Sequence, residues 1–154
     1  MPQLVKGGKH VFGWSRVGAE GQIVIPPDAL EEYHFKNLEK LILIPGSRTS
    51  GGFGLVSRKS VSQSPLSVVL DVHPELVECR IPEGDIIEYR KKPYCWVKLN
   101  RTIIRIPSET LKKFGIGIGD RLLVIRGSGL ALGFAVRGPI VTEAKKHNEI
   151  KEYL

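Results

Sequence analysis

Residues 103–120 read IIRIPSETLKKFGIGIGD, and residues 22–39 read QIVIPPDALEEYHFKNLE. Laid over each other at an offset of 81 positions, Ile23 falls on Ile104, Ile25 on Ile106, Pro26 on Pro107 and Leu30 on Leu111. The same gapless frame carries Leu41 onto Leu122, Ile44 onto Ile125, Gly46-Ser47 onto Gly127-Ser128 and Gly52-Phe53 onto Gly133-Phe134. One extra residue near Gly18 brings Trp14 onto Trp96 and Arg16 onto Lys98. Chance aligns a few Ile and Leu residues, but seldom Pro, Gly-Ser and Gly-Phe in one frame. The chain therefore reads as an internal duplication. Repeat 1 spans residues 14–57 and repeat 2 residues 94–138, with a segment 58–93 between them and a tail 139–154.

Both repeats follow one plan. A β-branched run, GQIVIP or TIIRIP, ends at a proline. A short amphipathic helix follows, PDALEEYHF or SETLKKFGI. In the second, Ser108 is the expected N-cap, Leu111 and Phe114 form the buried edge, and Gly115 ends the helix. A hairpin closes each repeat: KLILIP to FGLVSR, and RLLVIR through Gly127-Ser128-Gly129 to LALGFAVR. Units of roughly forty residues struggle to bury a core alone, so the two repeats are expected to share one. The segment 58–93 reads as β-rich on its strand-like runs SVVLDV, LVECRI and DIIEYR. The tail, with TEAKKHNEIKEYL, reads as a solvated helix.

Repeat 2 carries a recognisable string. Arg101-Thr102-Ile103-Ile104-Arg105-Ile106-Pro107, the helix with Leu111 and Phe114, then Gly115-Ile116 and Gly119-Asp120 before an apolar strand resemble the AbrB/MazE/SpoVT family. Repeat 1 keeps Gly21-Gln22-Ile23-Val24-Ile25-Pro26 but departs later, with His34 for the helix-ending Gly and Leu38-Glu39 for Gly-Asp. The resemblance covers both repeats. It implies a mainly β swapped-hairpin barrel with short helices, normally built from two chains and here formed by two repeats as a pseudo-dimer. It also implies DNA binding, either in transcription regulation or as a toxin-neutralising antitoxin.

Composition sets the remaining bounds. Apolar content of 42% and charged content of 25% are those of a globular domain, not a disordered chain. No apolar run approaches the roughly 18 residues that cross a bilayer, so no membrane partner is expected. The beginning MPQLVKGGKHVFGW has no apolar signal core, and Cys79 and Cys95 have no CxxC spacing. A reduced, cytoplasmic protein is the expectation. His10, His34, His73 and His147 are scattered without metal-ligand spacing, so neither a metal nor another cofactor is expected. GGFG lacks a following Lys-Ser/Thr and GIGIG opens a strand, so both read as turn glycines and not phosphate loops. No nucleophile has a local His partner, and Glu31-Glu32 reads as helix surface; no enzyme is expected.

The net charge is +7, and its distribution matters more than its size. Residues 94–138 hold eight Lys/Arg against two Asp/Glu, which is +6 of that total. Ile104 and Ile106 should face the core, so alternation turns Arg105 outward where repeat 1 has Val24. Lys112 and Lys113 stand where repeat 1 has Glu31 and Glu32. Lys98, Arg101, Arg105, Lys112 and Lys113 are therefore the candidate contacts to duplex DNA, through phosphates and base edges. Arg16 and Gln22 are the weaker candidates in repeat 1, placed by the family motif. Two other readings stand beside this one. One is an antitoxin-like or scaffold module that binds a toxin-like protein or forms a homo-oligomer. The other is a small-ligand barrel with its cleft at the Gly-rich loops.

Overall fold

A computed structural model describes residues 10–127 and 130–154. Residues 128 and 129 of the expected Gly127-Ser128-Gly129 turn lie outside the described residues. In chain order the first repeat gives β1 (Val11–Arg16), β2 (Gln22–Val24), α1 (Pro27–Glu32), β3 (Lys40–Pro45) and β4 (Phe53–Val56). The intervening segment gives α2 (Arg58–Ser62), α3 (Ser67–Val72), α4 (Pro74–Val77) and β5 (Ile87–Tyr89). The second repeat gives β6 (Lys92–Lys98), β7 (Ile103–Arg105), α5 (Ser108–Lys113), β8 (Arg121–Arg126) and β9 (Leu132–Ala135). The tail adds α6 (Pro139–Ala144) and β10 (Glu152–Tyr153).

Eight strands form one sheet in the order β10-β1-β8-β9-β4-β3-β6-β5, antiparallel except where β10 runs parallel to β1. β2 and β7 pair separately as a short antiparallel ribbon. The fold is thus mixed α/β, a large and mostly antiparallel sheet with short helices. It is less purely β than the sequence predicts, and the large sheet is open.

The strand registers repeat the 81-residue offset of the sequence. Ile23 pairs with its own counterpart Ile104, and Phe53 with its own counterpart Phe134. The two phenyl rings stack with centroids 4.6 Å apart. On one side Trp14 faces Leu123; on the other, Trp96 faces Ile42. The guanidinium of Arg121 lies 4.4 Å from the Trp14 ring centre, and the Lys40 ammonium 5.4 Å from that of Trp96. Val17 N–H donates to Asp120 O (2.9 Å), and Leu99 N–H to Glu39 O (2.7 Å). β1 pairs with β8, β6 with β3, β4 with β9 and β2 with β7, so strands of each repeat pair with those of the other.

The central core explains why so short a ribbon holds. Three-residue strands would not survive in water as an isolated pair. Ile23, Ile25, Ile104 and Ile106 are fully buried with Leu41, Leu43, Leu122 and Val124 from the large sheet. Each such side chain contributes about 2 kcal/mol on burial. Pro26 and Pro107, with φ of −54° and −56°, end the strands and start the helices. Pro107 occupies the cap position of α5, so Ser108 is the first helical residue and its side chain makes no capping bond, contrary to expectation. Gly115 does leave that helix at φ +76°, as read.

The back of the sheet is also buried, by the two segments outside the repeats. Val61, Val69, Leu70 and Leu76 from α2, α3 and α4 cover Ile42, Val56 and Trp96. Ile140, Val141, Ala144 and Ile150 cover Val11, Trp14, Leu123 and Ile125. This corrects two expectations. The segment 58–93 holds three short helices, with DIIEYR alone of its strand-like runs giving a strand, β5, and SVVLDV is α3: Val69 and Leu70 face the sheet while Val68 and Val72 face solvent. Four apolar residues in a six-residue run, three of them valine, are too few for periodicity to separate strand from helix. The tail is not a solvated helix: α6 stops at Ala144, packs its apolar side on Trp14, and leads to β10 on the edge of β1. Both cysteines are free thiols, and burial pushes the Cys95 thiol up to about 12. No helix among the described residues is long and apolar enough to cross a membrane.

Candidate nucleic-acid interface

Strand alternation divides the ribbon into two faces. Ile23 and Ile104 point into the core, so Gln22, Val24, Ile103 and Arg105 form the outer face. Register sets Gln22 beside Arg105 and Val24 beside Ile103. The turns that lead into the two strands cross over. Ile106 N–H donates to Gly21 O (3.0 Å), and Ile25 N–H donates to Thr102 O (2.7 Å). The turn of each repeat therefore lies against the strand–helix junction of the other.

This crossing redistributes the candidate residues. Arg105, Gln22, Lys112 and Lys113 belong to the α5 end of the ribbon. Arg101, with φ +60°, lies at the opposite end, over α1. There it shares a depression of about 380 Å³ with Pro27, Leu30, Glu31, Lys36 and Thr102. Lys98 lies further off at the end of β6, in register with Lys40, and its main-chain N–H donates to Glu83 Oε2 (2.7 Å). Arg16, its counterpart, donates to Gly119 O and to Glu152 Oε1, both at 3.1 Å. The seven candidates thus form no single cluster.

Each member of the α5 end has its own surroundings. Arg105 Nη1 meets Glu20 Oε2 at 2.9 Å, and the side chains are 63% and 73% exposed. A pair so open to water contributes about 0–1 kcal/mol and exchanges readily. Gln22 Oε1 accepts from Glu20 N–H (2.9 Å), which leaves its amide NH₂ without a hydrogen-bond acceptor among the described residues. Lys112 is 3.5 Å from Glu109. Lys113 is exposed and makes no ion pair among the described residues.

Two contacts escape a reading of the sequence alone. Glu20, which sits on Arg105 from 85 residues away, belongs to the one-residue-longer turn of repeat 1. That extra residue near Gly18 was its only signal. The second is Arg126, which donates from Nε and Nη2 to the two carboxylate oxygens of Glu32, both at 2.6 Å. This fork holds the Glu32 carboxyl below its ordinary range. Pro45 is the counterpart of Arg126, so Lys113 has no such partner.

Compared with known proteins, the chain matches no family model, no curated protein and no solved structure.

A second depression, of about 240 Å³, lies between the hairpin ends, lined by Ile44, Gly54, Ile125 and Gly133 among others. Its glycines serve close packing. A Cβ on Gly133 would stand 3.0 Å from Ile125 Cγ1, and one on Gly54 3.1 Å from both Ile44 Cγ1 and Ala131 Cβ. No group of three or more His, Cys, Asp or Glu is placed to hold a metal ion among the described residues.

Proposed function

We propose that this chain is a DNA-binding transcriptional regulator of the AbrB type, with its two repeats building a swapped-hairpin barrel as a pseudo-dimer within one polypeptide. One observation carries the reading. At matched positions on equivalent elements, repeat 2 presents exposed Arg105, Lys112 and Lys113 where repeat 1 presents Val24, Glu31 and Glu32. Glu32 is held by Arg126, but Arg105, Lys112 and Lys113 stand exposed with at most open ion pairs to Glu20 and Glu109, so their positive charge has no role in packing. It does fit a polyanion, whose backbone phosphates reward each cation brought to them. The exchange of strands between repeats supports the pseudo-dimer, because neither repeat completes its ladders alone.

Mechanistically, the core fixes Ile23 and Ile104, the ribbon turns Arg105 and Gln22 outward, and α5 holds two lysines beside them. Arg and Gln side by side suit base edges, since Arg reads guanine and Gln adenine in a major groove. The lysines supply phosphate contacts and register. Binding to a labelled duplex, followed from about 50 to about 200 mM salt, tests the reading. Affinity should fall steadily across that range; no retention of duplex at the low end would end it.

A second reading has an observation in its favour. Arg105 and Arg16 already rest against Glu20 and Glu152, and mixed charge of this kind also suits the rim of a protein interface. Under it the chain is an antitoxin-like or scaffold module for a protein partner, and duplex binding would be weak at any salt.

A further inference from the structure

A two-fold arrangement that read DNA symmetrically would lay its dyad on the dyad of an operator and use both ends of the ribbon. The two ends here are not equivalent. At the α5 end, Arg105, Lys112 and Lys113 face solvent, with Glu20 as the acid brought in by the crossing turn. At the α1 end, the matched positions are Val24, Glu31 and Glu32, and the crossing turn brings in Arg101. The two helices alone differ by four charges between matched residues. A duplex centred on the Ile23–Ile104 pair would press Glu31 against phosphate, and like-charge juxtaposition costs several kcal/mol.

We propose that the ribbon engages a duplex at its α5 end only, so that one chain takes a single half-site with no internal dyad. This rests on the duplex-binding reading and specifies its target. Arg105 leaves Glu20 for a phosphate or a base edge, and the exposed ion pair offers little resistance. Glu20 thereby acts as a competitor that holds the affinity down. The crossing turn that carries it belongs to the repeat with no cationic helix, so the acidic repeat modulates the basic one.

The test is selection of bound sequences from a random duplex library by the full chain at low salt, with the mass of the complex measured on the selected site. Enriched sites without a dyad, one chain on each, are expected. A dyad site filled by two chains, one per half, agrees equally. A dyad site filled by one chain overturns the one-ended geometry while leaving duplex binding intact. Failure to retain any duplex removes the underlying reading and this inference together. On the selected site, Glu20→Gln should tighten binding severalfold and Lys112→Glu with Lys113→Glu weaken it at least about tenfold. Weakened or unchanged binding by Glu20→Gln overturns the competitor role. Glu31→Gln, at the other end, should change little, and a gain equal to that of Glu20→Gln overturns the one-ended docking.

Discussion

Ile23 and Ile104 stand directly opposite each other in the β2–β7 ribbon, and each is the other's counterpart 81 residues along the chain. An approximate two-fold relation passes between them and again between Phe53 and Phe134. Differences between paired positions therefore isolate single physical effects, because packing and register are held nearly constant.

Ser15 is the clearest case. It is fully buried, its Oγ has no hydrogen-bond partner among the described residues, and its counterpart in repeat 2 is Val97, fully buried in the central core. A buried hydroxyl left unpaired costs about 1–3 kcal/mol. Ser15→Val should raise the urea midpoint by about 1 kcal/mol of stability without changing the slope of the transition. A midpoint shifted downward would mean that the pocket around Ser15 lacks the room that Val97 has.

His34 and Gly115 give a backbone comparison. Both leave their helices in the left-handed region, at φ +58° and +76°. A side chain costs roughly 1 kcal/mol there, and a Cβ on Gly115 would meet nothing within 4 Å, so the cost is conformational. His34→Gly should raise the melting temperature and Gly115→Ala lower it. Shifts of the same sign would show that His34 makes compensating contacts.

His147 ties α6 to the turn before β10. Its Nδ1 is 3.0 Å from Glu149 Oε1 and its Nε2 3.3 Å from Glu143 Oε1. The hydrogen bonds it donates to Glu149 and then to Glu143 raise the imidazole above its ordinary value of 6.5. A base with a raised folded value contributes stability that is full below the unfolded value and is lost as pH rises through the folded one. His147 lowers the Glu143 carboxyl; the backbone amide of Glu149 and then His147 lower that of Glu149. Their contribution is present above 4.5 and is lost as pH falls below it. As pH rises from below 6.5 through the raised folded value of His147, the native chain should therefore lose stability relative to His147→Gln. Trp14, which packs against the residues of α6, reports the change by fluorescence. Parallel pH profiles for the two proteins would exclude the His147 contacts as its source.

How much was legible in the sequence follows from these same residues. The duplication was readable because Pro and Gly recur in one frame and Trp after one extra residue, and Ile104 and Ile106 fell in the core as the alternation required, with Leu111 on the buried edge of its helix. The helices of segment 58–93 were not, since Val69 and Leu70 in so short a run as SVVLDV look alike on a strand or a helix. The larger difference concerns space. Counting charge by repeat groups Arg101 with Arg105, but the exchange of turns carries Arg101 to the α1 end and brings Glu20 onto Arg105. Charge along a chain predicts a surface only when neighbouring residues stay on one side of the fold.

The central claim is that Arg105, Lys112 and Lys113 are the cations that meet a duplex. The most direct measurement is the salt dependence of duplex affinity for the native chain, for Arg105→Ala with Lys112→Ala and Lys113→Ala, and for Arg16→Ala with Lys98→Ala. Phosphate contacts from the two lysines predict a slope of log affinity against log salt of about −2 for the native chain, nearly flat for the first variant and unchanged for the second. Equal losses of slope in the two variants, or a slope that survives removal of Arg105, Lys112 and Lys113, would contradict the account.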